Sequence, residues 1–132
     1  MEKSIKISSK IDNINKIEQL IDEFSEKNEI NSEIYGKILI ATVEAVNNSI
    51  VHGNKEDVNK YVYVKLKIDG DKIYITVEDE GPGFDSSKVP DPTKPENVEN
   101  IHGRGIYLMK HLADDVTFNE DGSIVTMEFD KE

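Results

Sequence analysis

The sequence predicts an α+β fold, a two-layer sandwich in which helices cover one face of a mixed, mainly antiparallel sheet. Two observations support this prediction. The β-rich segments come in tight pairs joined by Asp69-Gly70 and by Asp121-Gly122, and an Asp-Gly link is a strong hairpin signal. Segments with the 3.6-residue period of helices lie between these pairs and do not alternate with single strands. A doubly wound parallel sheet is therefore not expected.

The first part of the chain is predicted to form one strand and one helix. Residues 3–8 alternate polar and apolar side chains, which is the pattern of a half-buried strand. Asp12 or Asn13 can cap a helix that ends near Asn28. The apolar stripe of this helix has i, i+3, i+4, i+7 spacing and consists of Ile14, Ile17, Leu20, Ile21 and Phe24.

A second helix is predicted to begin at Asn31 or Ser32, either of which can be its N-cap, and to run to His52. Its expected core positions are Ile34, Ile38, Ala41, Ala45 and Ile50. A polar loop over residues 55–60 follows, and the first hairpin then pairs a strand over 61–68 with a strand over 72–78.

The last part of the chain is predicted to contain a long loop, a helix and the second hairpin. Residues 86–102 include Pro90, Pro92 and Pro95 and show little periodicity. A loop of this length inside a domain is usually functional. A helix over Ile106–Leu112 and two strands over 116–118 and 124–129 complete the prediction.

Composition restricts the classes of protein to which this chain can belong. It has 132 residues, 36% hydrophobic and 33% charged, so we expect one domain over residues 1–132. The absence of cysteine excludes disulfides and thiolate chemistry. No apolar run has the length of a membrane span or of a signal-peptide core, so we expect a cytoplasmic location. The net charge of −11 argues against nucleic-acid binding.

The segment from Glu44 to Asn54 is the first candidate for a functional motif. In a helix, Glu44, Asn48 and His52 are four residues apart and share one face. The amide oxygen of Asn48 can ligate a hard cation such as Mg²⁺, and the Glu44 carboxylate can accept a proton. The alternative is a solvent-facing polar stripe on a helix that ends at Gly53 with a glycine cap.

A second candidate motif, Asp79-x-Gly81-x-Gly83, follows the end of a predicted strand. An aspartate there can accept a hydrogen bond from an exocyclic amine, and the glycines allow a flat ring to approach the backbone. The alternative is an ordinary turn. A calcium loop and a dinucleotide fingerprint both fit poorly, because neither the oxygen ligands nor a third glycine recur at the required spacing.

The third candidate motif is Gly103-Arg104-Gly105-Ile106, placed where the third helix is expected to begin. Free backbone N–H groups and the positive end of the helix dipole would both face an anion there. Arg104, the only arginine of the chain, could donate two hydrogen bonds to a phosphate. The alternative is a flexible hinge that ends the proline-rich loop.

The three motifs, in this order and with a long loop before the third, resemble those of the GHKL ATPase superfamily, whose domains have the Bergerat fold. Residues 44–54 match the N box, residues 79–83 the first glycine box and residues 103–106 the second. The resemblance covers nearly the whole chain. It implies ATP and Mg²⁺ as cofactors, and a lid over the nucleotide at about residues 86–102.

The resemblance also implies roles for individual residues. Asn48 would ligate Mg²⁺, Asp79 would bind the adenine amine, and Thr126 on the last strand would assist at adenine through a water molecule. The other residues expected at the nucleotide are Gly81, Gly83, Gly103, Arg104, Gly105 and Ile106.

Within the superfamily, the small size of the chain, its segment 44–53 and the run from Asp91-Pro92 to residues 103–109 look most like the anti-sigma-factor serine kinases (RsbW type). Such proteins bind a sigma factor and phosphorylate a serine of an antagonist protein, and Glu44 would be the general base. The resemblance further implies a homodimer. Two other functions stay open: a nucleotide-controlled binding module without turnover, and a stand-alone ATPase domain of the histidine-kinase type.

Overall fold

A computed structural model describes residues 2–81, 101–120 and 122–131, with residues 101–104 described by their backbone only. These residues form strands and helices in the order β1 (Glu2–Ser8), a 3₁₀ turn (Ile11–Asn13), α1 (Ile14–Lys27), α2 (Ser32–Asn48), a π-helical turn (Ser49–Gly53), β2 (Tyr61–Asp69), β3 (Lys72–Glu78), α3 (Ile101–Leu112), β4 (Asp115–Phe118) and β5 (Ile124–Asp130). None of these helices is long and apolar enough to cross a membrane.

The five strands form one sheet with the order β1-β2-β3-β5-β4. Both predicted hairpins are confirmed, β2 with β3 and β4 with β5, and their turns use Gly70 at φ 63° and Gly122 at φ 81°. The pairing of β3 with β5 joins the two hairpins and sets Glu78 opposite Ile124. The carboxyl end of β3 therefore lies beside the beginning of β5.

The helices lie on one face of the sheet, which confirms the predicted two-layer α+β sandwich. Burial alternates along the central strands as a half-covered sheet requires. All four strand pairings are antiparallel. The described sheet is therefore purely antiparallel, whereas a mixed sheet was expected. The core is formed by the inward residues of β2, β3 and β5 and by the apolar stripes of the helices, among them Leu66, Ile75, Met127, Ile17, Ile38, Ala45, Ile50 and Met109.

The N-cap of α2 shows how local sequence sets its start. The side-chain oxygen of Asn31 accepts a hydrogen bond of 2.9 Å from the backbone N–H of Ile34, which satisfies one of the donors that a helix start leaves unpaired. Of the predicted core positions in and just after this helix, Ile34 is only half-buried, and the others are buried as expected.

The beginning of α3 differs from the prediction. The helix begins at Ile101, not at Ile106, so Gly103 and Gly105 are helical residues. Residues 101 and 102, which were expected to belong to the lid, are helical as well. A glycine inside a helix costs about 1 kcal/mol relative to alanine, so a glycine at such a position needs a structural reason. Tight packing against α2, described below, explains why glycine stands at position 105.

Left-handed backbone at Glu29 offers a test of local energetics. Glu29 follows α1 at φ 54° and is exposed. A non-glycine residue pays about 1–2 kcal/mol for this conformation, whereas glycine loses about 0.5–1 kcal/mol of chain entropy. We expect Glu29→Gly to raise the free energy of unfolding by up to about 1 kcal/mol.

The matched control is Glu26→Gly, which removes the same exposed side chain from inside α1 and should lower stability by about 1 kcal/mol. Urea denaturation followed by circular dichroism measures both variants. Equal destabilisation by the two substitutions would contradict the assignment of strain to Glu29.

Candidate functional site

The end of α2 is wound more widely than the rest of the helix. After Asn48 the chain continues as the π-helical turn Ser49–Gly53, and the backbone N–H of Asn54 donates to the carbonyl of Ser49 at 2.8 Å. Turns of this kind are rare and are frequent at functional sites. Here the turn carries His52 and Gly53 to the end of β3, where they line a cleft together with Asn48.

Asp79, directly after β3, is held on three sides. Its backbone N–H donates to the carbonyl of Ser123 at 3.0 Å, and its Oδ1 accepts from the backbone N–H of Gly81 at 2.9 Å. Its carboxylate also packs against Gly53, because a Cβ atom at Gly53 would lie 2.4 Å from Oδ2. The Asp79 side chain therefore has a fixed orientation at the edge of the cleft.

Glycine is required at positions 53 and 81 because a side chain has no room there, and not because of the backbone conformation. A Cβ atom at Gly81 would lie 1.9 Å from the carbonyl oxygen of Gly53, a distance that no side chain can take. Among the described glycines, only Gly70 and Gly122 have positive φ, so Gly53 is not the left-handed cap considered as an alternative. The two backbones touch where α2 and β3 end, and they bring the first two motifs into one site.

The third motif meets the first through Gly105 on α3. A Cβ atom at Gly105 would lie 3.0 Å from Glu44 Oε2, 3.0 Å from Asn48 Nδ2 and 3.2 Å from Asn48 Oδ1. Glu44 and Asn48 thus point at the same spot on α3, as their spacing of one helical turn predicts. Asn48 is 8% exposed, and its Nδ2 has no hydrogen-bond partner among the described residues.

Between α2, α3 and the ends of β3 and β5 lies a cleft with about 440 Å³ of empty space, in part open to solvent. Small-molecule sites are mostly apolar with a few placed polar groups, and the lining of this cleft has that composition. The polar side chains are those of Asn48, Ser49, His52, Asp79 and Ser123, and the apolar ones those of Ala45, Val77, Ile106, Met109, Phe118 and Val125.

Thr126 does not line this cleft, and its predicted place beside adenine is wrong for this structure. Its hydroxyl lies 3.4 Å from that of Thr76, on the sheet face opposite the helices. The hydroxyl that the β5 side contributes to the cleft belongs to Ser123, which sequence reasoning missed. Strand alternation could have found it, because Ser123 has the same parity as the buried Val125 and Met127.

Several predicted site residues lie elsewhere in the described chain or outside it. Gly103 and Arg104 lie in α3, where the side chain of Arg104 is outside the described residues. Gly83 and most of the expected lid, residues 86–100, are also outside them. The expected anion site at a helix start over 103–106 is not formed as predicted, because α3 begins at Ile101 and the N–H groups of Gly105 and Ile106 lie inside the helix.

His52, at the edge of the cleft, is shifted toward its neutral form. Partial burial lowers the pKa of the imidazole below its ordinary value, and the positive charge of Lys55 lowers it further. Burial has this effect because it penalises the charged form of a base.

Comparison with known proteins identifies the family. Residues 7–129 match the model of the histidine kinase-like ATPase domain. The chain belongs to this family. Membership implies that it binds ATP, and the resemblance drawn from the three motifs is confirmed.

Two relatives are similar over most of this ATPase domain. The anti-sigma F factor of Bacillus velezensis is 34% identical over 87 residues, 63% of this chain and 58% of that protein. The serine-protein kinase RsbW of Bacillus subtilis is 34% identical over 95 residues, 67% of this chain and 59% of that protein. The matched part is less than two thirds of the length of either relative.

A solved structure supports the fold of the domain. The crystal structure of the RsbU and RsbW domains of Rv1364c from Mycobacterium tuberculosis superposes with a TM-score of 0.69 at 16% identity. The match covers 98% of this chain and 31% of the other. The ATPase domain described here therefore has the architecture of a part of that protein.

The contact of Gly105 with Asn48 and Glu44 predicts a loss of nucleotide binding when a methyl group is added. In Gly105→Ala the methyl group must displace both side chains by a few tenths of an ångström. Because small misplacements at a site are costly, we expect about a 10-fold loss of Mg-ATP affinity by calorimetry. In the control Gly36→Ala, on α2, the added methyl meets nothing within 4 Å.

The control should gain about 1 kcal/mol of stability through helix propensity and keep the parent affinity. Parent affinity in Gly105→Ala would show that the α2–α3 contact has no effect on the nucleotide site.

The lowered pKa of His52 predicts a pH dependence of stability. The unfolded chain takes up a proton near pH 6.5, whereas the folded chain takes it up only at lower pH. The free energy of unfolding therefore loses this contribution as the pH falls from about 6.5 toward the folded pKa. In His52→Gln the loss should be smaller between pH 7.5 and 5.5, as measured by urea titrations at each pH. The same pH dependence in parent and variant would exclude His52 as its source.

Proposed function

We propose that this chain is an ATP-dependent protein serine kinase that also binds a sigma factor. The observation that carries the proposal is that Asn48 and Asp79 line one cleft, while Glu44 lies beside Asn48 against the same spot at Gly105. Asp79 is distant in sequence from the other two, and the three residues supply a proton acceptor, a metal-ligand oxygen and an amine acceptor. The names of the relatives, anti-sigma F factor and serine-protein kinase RsbW, support the choice of substrate class and partner.

The adenine end of the site is the part around Asp79. A carboxylate is an acceptor-only group, so it selects the exocyclic amine of adenine over the carbonyl of guanine. Val77, Val125 and Met109 supply apolar walls for a flat ring, and Ser123 supplies a hydroxyl within the same cleft. Gly81 lets the backbone after Asp79 approach that of Gly53, which lines the cleft.

The metal and phosphate end is the part around Asn48. Its amide is buried with one unpaired nitrogen, which fits a residue that awaits a polar ligand. No group of three or more His, Cys, Asp or Glu residues among those described could hold a metal alone. Mg²⁺ would arrive with the nucleotide, the amide oxygen of Asn48 would be its protein ligand, and the ion would neutralise phosphate charge.

Glu44 is the catalytic residue of the proposal. It precedes Asn48 by one helical turn and faces the same spot near Gly105, so a serine hydroxyl beside the terminal phosphate meets its carboxylate. The carboxylate accepts the hydroxyl proton as the oxygen attacks. A base in this position typically contributes about 10²–10⁴-fold to the rate. The proposed lid over residues 86–102 would exclude water from this step.

The names of the relatives support a sigma factor as partner, and the motif resemblance supports an antagonist protein as substrate and a homodimer. The chain binds a sigma factor and phosphorylates a serine of an antagonist protein, and it acts as a homodimer and as one domain over residues 1–132. It contacts no nucleic acid, since a net charge of −11 is opposite in sign to what phosphate backbones attract.

The adenine assignment predicts the effect of Asp79→Asn. The variant replaces an acceptor-only carboxylate by an amide, so it loses one charge-assisted hydrogen bond worth about 1.5–3 kcal/mol. ATP affinity should fall accordingly, and preference for ATP over GTP should disappear in calorimetry. The control Asp71→Asn makes the same charge change at an exposed residue of the β2–β3 hairpin and should bind like the parent. ATP affinity and preference equal to the parent in folded Asp79→Asn would refute the assignment.

The kinase assignment predicts the effect of Glu44→Gln. ATP affinity should stay the same or rise slightly, because the substitution removes repulsion between a carboxylate and the phosphates. Transfer of labelled γ-phosphate to the antagonist captured with the protein should fall by at least about 10²-fold. Glu33→Gln, an exposed change on the same helix, is the control.

Transfer by Glu44→Gln at the parent rate would exclude Glu44 as the base. A parent that transfers nothing while nucleotide changes partner affinity would identify a binding module.

A further inference from the structure

Asn54, just after the π-helical turn, is a buried polar residue whose role the ATPase motifs do not explain. It is 1% exposed. Its Nδ2 donates to Ser9 Oγ at 2.9 Å and to the carbonyl of Tyr61 at 3.0 Å. Its Oδ1 accepts from the backbone N–H of Glu80 at 2.8 Å. Both donors and the acceptor of the side chain are therefore satisfied without solvent.

These bonds join three segments that are distant in sequence. Ser9 follows β1, Tyr61 begins β2, and Glu80 follows β3. Two further bonds close the network: Ser9 Oγ donates to the carbonyl of Lys60 at 2.7 Å, and the Glu80 carboxylate accepts from the backbone N–H of Tyr61. We call Ser9, Asn54, Tyr61 and Glu80 the Asn54 cluster.

The orientation of the Asn54 amide follows from its partners. The carbonyl of Tyr61 can only accept and the N–H of Glu80 can only donate, so Nδ2 must face Tyr61 and Oδ1 must face Glu80. In a flipped amide, the oxygen would face the carbonyl of Tyr61, which is also an acceptor, and the nitrogen would face the N–H of Glu80, which is also a donor. The amide oxygen is thus aimed at the peptide between Asp79 and Glu80.

We propose that Asn54 is a positioning residue for the adenine-binding carboxylate of Asp79. The backbone N–H of Asp79 is held by Ser123 on the β5 side, and the next N–H, that of Glu80, is held by Asn54 on the α2 side. Together they fix the peptide from which the Asp79 side chain projects. This inference rests on the proposed function, because it assigns Asn54 an effect on nucleotide selection.

Other residue types cannot replace this amide. Alanine leaves the N–H of Glu80 and the carbonyl of Tyr61 without their partner. Aspartate keeps an acceptor for Glu80 but sets a carboxylate oxygen against the carbonyl of Tyr61. Because Gly53 packs against the Asp79 carboxylate, a shift of the 79–81 backbone would displace that carboxylate within the site.

The test is a double-mutant cycle on ATP affinity, measured by calorimetry at a temperature where circular dichroism shows each variant folded. Asn54→Ala is made in the parent and in Asp79→Asn, and Asn54→Ser is the milder second variant if Asn54→Ala does not fold. Ser9→Ala is the matched control, because it removes one bond of Asn54 and one of Lys60 but leaves the bond to Glu80 intact.

We expect Asn54→Ala to lower ATP affinity about 10-fold and to reduce the preference for ATP over GTP in the parent, and to change affinity less than about twofold in Asp79→Asn. Ser9→Ala should lower the melting temperature and keep ATP affinity and preference. Equal losses in both backgrounds, or a loss in Ser9→Ala that matches Asn54→Ala, would overturn the inference alone. A parent that binds no ATP would overturn the proposed function and this inference with it.

Discussion

The contact between the backbones of Gly53 and Gly81 is the constraint on which the candidate site depends. It brings the end of the helix layer and the end of a central strand to a separation that admits no side chain. Because Glu44 and Asn48 belong to the first element and Asp79 follows the second, this contact fixes the separation of the proposed catalytic and adenine-binding groups. The π-helical turn makes the contact between Gly53 and Gly81 possible, because its wider winding redirects the chain without ending the helix.

The net charge of the chain bears on which groups can bind a polyanionic ligand. With a net charge of −11, a triphosphate is not attracted by a general positive field. The polar side chains that line the cleft are the Asn48 amide, two serine hydroxyls, the Asp79 carboxylate and a histidine whose pKa is lowered, and the Glu44 carboxylate lies beside Asn48. Such a site favours a nucleotide that arrives with its own cation, and it discriminates by hydrogen-bond type at the base.

The glycines of the hairpins and those of the three motifs have different physical functions in this fold. Gly70 and Gly122 take the positive φ angles of the hairpins. Gly53, Gly81 and Gly105 instead allow close approach, to a carboxylate, to a carbonyl and to the neighbouring helix respectively. A sequence alone does not separate these functions, because positive φ and missing space both select glycine. This is why the start of α3 was predicted at Ile106 and is found at Ile101.

The sequence by itself determined the fold class, the two hairpins and the shared helical face of Glu44 and Asn48, because hydrophobic period and turn chemistry are local properties. It narrowed the N-cap of α2 to Asn31 or Ser32, and the structure selects Asn31. Only the tertiary structure decided that β5 lies between β3 and β4. That strand order sets the beginning of β5, with Ser123, beside Asp79. The packing of the helices on the sheet brings Asn54 to the peptide of Glu80. Such juxtapositions depend on contacts between distant segments, which no local pattern encodes.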